Sequence, residues 1–204
     1  YHSRQVCVSV QRVFVPRAEL PDFAAELAEG AEALTVGDPT KAETQCGPLI
    51  RPAEVDRVAS WVDAAVQGGA RLAAGGKRMG STLYQPTVLV DPPCDADVSQ
   101  KEVFGPVVCI YGYDDVDAAI GQANALPYAF QAAVFTDRMS WADYCVETLA
   151  ASAVMVNDHT AFRVDWMPFA GRRQSGLGTG GIGYTMADMS EEKMVVVNAP
   201  SSVR

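Results

Sequence analysis

The sequence lacks several features that mark particular classes of protein. No apolar run approaches the roughly 20 residues that cross a bilayer, and the start of the chain has no basic segment followed by an apolar signal core. We therefore expect a cytoplasmic protein without a membrane partner. Histidine is scarce, since only His2 and His159 occur. With no H-x-x-x-H or H-E-x-x-H arrangement, a histidine-based metal site or catalytic relay is not expected.

Cysteine and positive charge are also sparse. The five cysteines are an odd number without C-x-x-C spacing, which predicts neither a disulfide framework nor a zinc site. The chain carries 16 Lys and Arg against 25 Asp and Glu, a net charge of -9. No stretch combines clustered basic residues with aromatic ones, so nucleic acid is not an expected partner.

What the chain does contain is an alternation of helical and strand patterns. Helices are predicted over 17–34, 52–70, 114–126 and 138–150. Strands are predicted over 70–76, 84–91, 105–113, 130–136, 152–157 and 193–198. Such alternation favours an α/β fold with a mainly parallel sheet flanked by helices. No repeat or long linker divides the chain.

One glycine motif is misleading. The letters GLGTGG at 176–181 match the G-x-G-x-x-G dinucleotide pattern. That fingerprint works between a strand and a helix N-terminus, where free N–H groups hold a pyrophosphate. Here MPFAGRRQS precedes the glycines without a strand pattern, and no acidic residue ends a second strand about 20 positions on. We interpret the segment as a flexible connector.

Four separated segments carry a family resemblance: RQVCVSVQRVFV, VGDPTKAETQCGPLI, KEVFGPVVCIYGYDD and MPFAGRRQSGLG. In order and spacing they resemble the catalytic domain of the aldehyde dehydrogenase superfamily, over essentially the whole chain. The resemblance implies a catalytic α/β domain over 1–184. It also implies a C-terminal oligomerisation segment over 185–204 whose strand pairs across subunits, and hence a homo-oligomer.

The resemblance assigns the nucleophile to Cys7. A thiolate attacks an aldehyde carbon, the resulting thiohemiacetal loses a hydride to the oxidised nicotinamide, and the thioester that remains is hydrolysed. A thiol suits this role better than a hydroxyl because its pKa of about 8.5 lies near neutrality. Arg4 stands where the family usually has glycine. This departure brings a β-carbon and a positive charge close to the thiol.

The same resemblance implies further site residues. Glu102 matches the contact to the nicotinamide ribose, and Phe104 matches the residue beside the nicotinamide ring. Phe169 matches a position in the aldehyde pocket. The FRVD segment is similar to the branch that acts on small hydroxy, phospho or phosphono aldehydes, where Arg163 would hold an anionic group. No catalytic role is implied for Cys46, Cys94, Cys109 or Cys145, which we expect to be buried or incidentally exposed.

In the resembled family, the nucleotide-binding half and the general base precede the cysteine. The resemblance therefore implies the catalytic part of an NAD- or NADP-dependent aldehyde dehydrogenase, inactive in isolation because the hydride acceptor and the base lie elsewhere. Two alternatives stay open. The chain could belong to a CoA-acylating aldehyde dehydrogenase, in which a thiol receives the acyl group. It could also be a non-catalytic remnant that acts through its oligomerising strand.

Overall fold

The most apolar predicted strands lie at the centre of a four-stranded sheet. A computed structural model describes residues 2–198. Its strands are β1 Arg12–Pro16, β2 Arg71–Ala74, β3 Thr87–Val90, β4 Val107–Tyr113, β5 Tyr128–Ala129, β6 Gln131–Val134, β7 Ala153–Val156 and β8 Arg172–Arg173. The main sheet has the order β1-β4-β3-β2, in which only β2 runs antiparallel to its neighbour.

Six helices and one 3₁₀ turn complete the described part of the chain. The helices are α1 Leu20–Glu32, α2 Pro52–Gln67, α3 Asp97–Gln100, α4 Val116–Asn124, α5 Met139–Thr148 and α6 Ile182–Asp188, and the 3₁₀ turn is His2–Arg4. Two further strand pairs lie outside the main sheet, the parallel pair β6 and β7 and the antiparallel pair β5 and β8. The mixed, mainly parallel α/β fold is confirmed.

The main sheet is covered on both faces, which explains why β4 is almost wholly apolar. Val88, Val90 and Ile110 face one side and pack with α1. Leu89 and Cys109 face the other side and pack with α2. Alternate residues of a strand point to opposite faces, so a strand between two helical layers needs apolar residues at every position.

The ends of the long helices agree with simple chemical rules. Pro52 begins α2, where a missing N–H costs no hydrogen bond, and Glu54 in the first turn favours the positive end of the helix dipole. The Asp115 carboxylate caps α4 by accepting from the N–H groups of Asp117 and Ala118, both at 3.3 Å. These signals are local, and the predicted helix cores are confirmed.

Two expectations for the C-terminal third concern the strand over 193–198 and the glycine-rich segment. Within the described residues, the segment predicted as a strand over 193–198 pairs with no other strand of this chain, so its pairing with a second subunit stays a prediction. A strand needs a hydrogen-bonded neighbour, and Val195 to Val197 are instead 73–81% exposed. The glycine-rich segment lies between β8 and α6, and Gly180 exchanges two backbone hydrogen bonds with Phe169. Because β8 has only two residues, this arrangement is not a dinucleotide fingerprint. The division at residue 184 stays a prediction.

Candidate active site

Cys7 is the exposed residue of a turn that a distant threonine holds in place. The turn, residues 6–9 and here called the nucleophile turn, is closed by a hydrogen bond of 3.1 Å from its last N–H to its first carbonyl. The buried hydroxyl of Thr160 donates to the carbonyl of Val8 at 2.5 Å. Thr160 follows β7, so the second half of the chain fixes the position of the thiol.

The segment before the nucleophile turn is anchored to the loop that follows Cys46. The side-chain amide of Gln5 donates to the carbonyl of Pro48 at 3.1 Å and accepts from the N–H of Ile50 at 2.9 Å. The hydroxyl of Ser3 donates to the carbonyl of Gly47 at 2.7 Å. Because a single amide satisfies both a carbonyl and an N–H, Gln5 fixes the entry to the turn more strictly than one bond would.

The backbone of this entry segment is strained. His2, Ser3 and Arg4 have φ values of 51°, 49° and 61°, all in the left-handed region. Residues with a β-carbon pay roughly 1–2 kcal/mol each to occupy that region, whereas glycine does not. The left-handed φ at Arg4 gives a physical reason for the glycine that the resembled family usually has there.

Gln11 organises the second part of the site, the segment EVFGP at 102–106, here called the EVFGP loop. Its amide nitrogen donates to the carbonyls of Val98 and Lys101 at 2.9 and 2.7 Å, and its amide oxygen accepts from the N–H of Val103 at 2.8 Å. One side chain directly before β1 thus joins α3 to the EVFGP loop. Sequence reasoning missed both Gln11 and Thr160, because their partners are about 90 and 152 residues away.

The EVFGP loop alternates between buried and exposed residues. Val103 and Gly105 are buried, and a β-carbon at Gly105 would lie only 3.0 Å from the Cγ2 atom of Val58. Phe104, which lies between these two buried residues, and Glu102, which precedes them, are exposed. Phe104 has a φ of 48°. An exposed aromatic ring held by a strained backbone, next to an exposed carboxylate, is a feature typical of ligand contact rather than of packing.

A small cavity lies between the nucleophile turn and the EVFGP loop. It is lined by Arg4, Val6, Ser9, Gln11, Glu102, Phe104, Gly105 and Val107. The room left inside is about 10 Å³, enough for about one water molecule. The Arg4 side chain enters this cavity, and its buried Nε atom has no hydrogen-bond partner within residues 2–198. Burial lowers the pKa of Arg4 to about 10, although the nearby Cys109 opposes this shift.

Arg163 and Phe169 form a third part of the site. The Arg163 guanidinium carbon lies 4.2 Å from the centre of the Phe169 ring, which is a cation–π contact, and Phe130 packs edge-on to Phe169 at 5.1 Å. Within the described residues, no hydrogen bond, ion pair or ring contact joins this pair to the nucleophile turn. The connection between the pair and the nucleophile turn is indirect: Thr160, which binds the turn at Val8, lies three residues before Arg163.

The structure therefore brings together the nucleophile turn, Glu102 and Phe104, with Arg163 and Phe169 on a separate loop. Cys46, Cys109 and Cys145 are buried, and Cys94 is exposed. Between residues 2 and 198, no three or more His, Cys, Asp and Glu side chains are grouped as metal ligands. No helix in the same range is long and apolar enough to cross a membrane.

Comparison with known proteins identifies the class to which this fold and exposed cysteine belong. The model of the aldehyde dehydrogenase family matches residues 1–195, and the chain belongs to that family. It is 41% identical over 194 residues to the 3-sulfolactaldehyde dehydrogenase of Priestia aryabhattai, covering 95% of this chain and 40% of that protein. It is 35% identical over 197 residues to the lactaldehyde dehydrogenase of Methanococcus aeolicus, covering 97% and 42%.

Solved structures agree with this assignment. NADP-dependent glyceraldehyde-3-phosphate dehydrogenase from Bacillus halodurans, complexed with NADP, superimposes with a TM-score of 0.91 at 34% identity, over 97% of this chain and 41% of that one. Aldehyde dehydrogenase 21 from Physcomitrella patens, in complex with the product succinate, gives 0.88 at 33% identity, over 92% and 39%. The chain thus spans about 40% of the length of these relatives.

Proposed function

We propose that this chain is the nucleophile-bearing part of an NAD- or NADP-dependent aldehyde dehydrogenase that converts a small aldehyde to a carboxylate. The observation that carries the proposal is the exposed Cys7, fixed by Gln5 and Thr160 beside the EVFGP loop. Convergent anchoring of the turn that carries an exposed thiol, directly after a strained entry segment, favours a chemical role over a structural one.

The residues of this chain perform the covalent steps. The Cys7 thiolate attacks the carbonyl carbon, forms a C–S bond and moves the carbonyl electron pair to oxygen. The backbone N–H of Cys7 has no acceptor within residues 2–198 and is free to donate to this oxyanion. When the oxyanion collapses, the carbon loses a hydride and becomes a thioester. Water then attacks the thioester, which releases the carboxylate and regenerates the thiol.

The nicotinamide cofactor that the family implies fits the EVFGP loop in two respects. Glu102 is an exposed carboxylate and accepts hydrogen bonds only, which suits the hydroxyl donors of a ribose. Phe104 presents an exposed ring that suits the face of a nicotinamide. When bound, the cofactor supplies the hydride acceptor. We assign these two contacts to the described residues and propose that most of the dinucleotide binds elsewhere in the full-length protein, so that this chain does not oxidise aldehydes by itself.

The test of the nucleophile is the Cys7→Ser variant of the full-length protein. A serine hydroxyl is scarcely ionised near neutrality, so oxidation should fall by at least about 10³-fold. Cys94→Ser is the matched control, because Cys94 is the other exposed thiol and lies outside the site. Retained turnover in Cys7→Ser contradicts the proposal. Product analysis with and without CoA separates the hydrolytic enzyme from a CoA-acylating one.

We further propose that the aldehyde carries an anionic group held by Arg163. The guanidinium lies over Phe169 and has no ion pair within residues 2–198, so it is available to an anion. The names of two relatives, for 3-sulfolactaldehyde and glyceraldehyde 3-phosphate, agree with such a substrate. In Arg163→Leu, KM for a sulfonated or phosphorylated aldehyde should rise about 10- to 100-fold, with propanal unaffected. Arg163→Lys should lie between, and equal changes for both substrates refute the role.

The exposed apolar residues near the end of the described chain support a homo-oligomer. Met194 to Val197 are 73–87% exposed. A contiguous apolar segment with free backbone groups is suited to pair with a second subunit. A sedimentation mass equal to that of the monomer would contradict this proposal and the oligomerising-remnant alternative together.

A further inference from the structure

Arg4 has no counter-charge within residues 2–198. Its Nε–H is buried and has no acceptor, and no carboxylate within residues 2–198 lies within 4.0 Å of the guanidinium. Burial lowers the pKa of Arg4 only to about 10, so the group stays positive at neutral pH. Because Arg4 is only partly exposed, water screens its charge less than it screens the charge of a fully exposed side chain.

The cavity that holds Arg4 is shared with Glu102 and Phe104. Glu102 carries the opposite charge but is exposed, so solvent screens it more than it screens Arg4. Because Arg4 and Phe104 line the same cavity, a partly buried positive charge lies near the ring that would contact a nicotinamide.

The two forms of the cofactor respond differently to this charge. The oxidised nicotinamide ring is a cation and the reduced ring is neutral. Hydride transfer moves two electrons and one proton from the substrate carbon to the ring, which removes the ring's positive charge and leaves the thioester on Cys7. A fixed cation beside the ring repels the oxidised form and leaves the reduced form almost unaffected.

We infer that Arg4 is a specificity-determining residue that biases the cofactor site toward the reduced nicotinamide. This inference rests on the proposed function, because it takes the EVFGP loop as the nicotinamide contact. It differs from simple blocking by the side chain, since blocking would weaken both forms equally.

The experiment compares dissociation constants of the oxidised and reduced dinucleotide for the full-length protein, by calorimetry, without turnover. Arg4→Met keeps the length of the side chain and removes its charge, Arg4→Lys keeps the charge, and Arg4→Gly also relieves the left-handed backbone. The ratio of the oxidised to the reduced dissociation constant should fall about tenfold in Arg4→Met and Arg4→Gly, and stay unchanged in Arg4→Lys.

A further variant tests the sign of the effect. Glu102→Gln removes the negative charge, so the same ratio should rise. The inference is overturned by an unchanged ratio in Arg4→Met, or by equal tightening of both forms in Arg4→Gly alone, which would indicate blocking. If neither form binds the unmodified protein or any variant, the cofactor contact in the proposed function is itself wrong, and the inference fails with it. If the dinucleotide binds and the ratio of its two dissociation constants is the same in Arg4→Met as in the unmodified protein, the inference about Arg4 is refuted and the proposed function is not.

Discussion

The hydrogen bond between Thr160 and Val8 gives a prediction whose size follows from the structure. Thr160→Val keeps the shape of the side chain but removes the hydroxyl that donates at 2.5 Å. The variant loses a hydrogen bond of about 1 kcal/mol and leaves the partly buried Val8 carbonyl without its partner, for a total of about 1–3 kcal/mol. For a chain of this size, that corresponds to a decrease in Tm of roughly 2–12 °C.

Stability alone does not show that Thr160 positions the thiol, so the assay needs a local measurement. The amide of Ser9 donates the 3.1 Å hydrogen bond that closes the nucleophile turn. Loosening the turn by about 1.4 kcal/mol should speed hydrogen exchange at this amide about tenfold. Thr160→Ser is the matched control, because it loses a methyl group but keeps the hydroxyl. It should lose some stability and leave exchange at Ser9 close to that of the parent protein.

The result that refutes this reasoning is specific. If Thr160→Val unfolds at the same denaturant concentration as the parent protein and exchanges Ser9 at the same rate, the hydrogen bond contributes nothing. If Thr160→Ser speeds exchange as much as Thr160→Val does, packing of the methyl group holds the turn, and the hydroxyl does not.

Two further predictions concern groups beneath the site. Gln11→Met removes three hydrogen bonds that hold the EVFGP loop, so the free energy of unfolding should fall by about 2–4 kcal/mol and binding of the oxidised cofactor should weaken. Gln122→Met is the control, because it loses a single contact to Cys94 at 3.3 Å. Denaturant titrations and binding titrations should show no change in this control. Burial raises the pKa of Cys109 from 9.0 to about 12. Above pH 9 the unfolded chain loses this proton while the folded chain keeps it, so stability falls between pH 9 and 12. In denaturation measured as a function of pH, Cys109→Ala should reduce this loss of stability and Cys94→Ala should not. If the parent protein and both variants lose stability in parallel, deprotonation of Cys109 is not the cause.

The parts of the fold that the sequence could predict are those with local causes. The apolar run of β4 and the Pro52 start of α2 follow from periodicity and helix-end chemistry. The two-residue strands β5 and β8 have no such pattern, because each exists only through its pairing with the other. Residues 193–198 show the reverse case, since their apolar pattern predicts a strand but no described strand pairs with them.

The candidate site divides in the same way. Cys7, Glu102 and Phe104 lie in motifs whose resemblance to the aldehyde dehydrogenase family is visible in the sequence alone. Thr160 and Gln11 are ordinary polar residues until folding places them against partners far along the chain. Arg4 is an intermediate case, because the departure from glycine is visible in the sequence, whereas the left-handed backbone and the buried, unpartnered Nε are not.

The contact between Thr160 and Val8 also sets an order of events during synthesis. The two residues are 152 positions apart, so the nucleophile turn lacks this anchor until Thr160 has left the ribosome. Closing so long a loop carries an entropic cost that only the surrounding packing offsets, and such contacts form late in folding. The sheet of β1 to β4 and its two covering helices have by then been translated. The thiol therefore reaches its final geometry only after the scaffold around it has been translated, and until then the Gln5 contacts hold its turn without the Thr160 anchor.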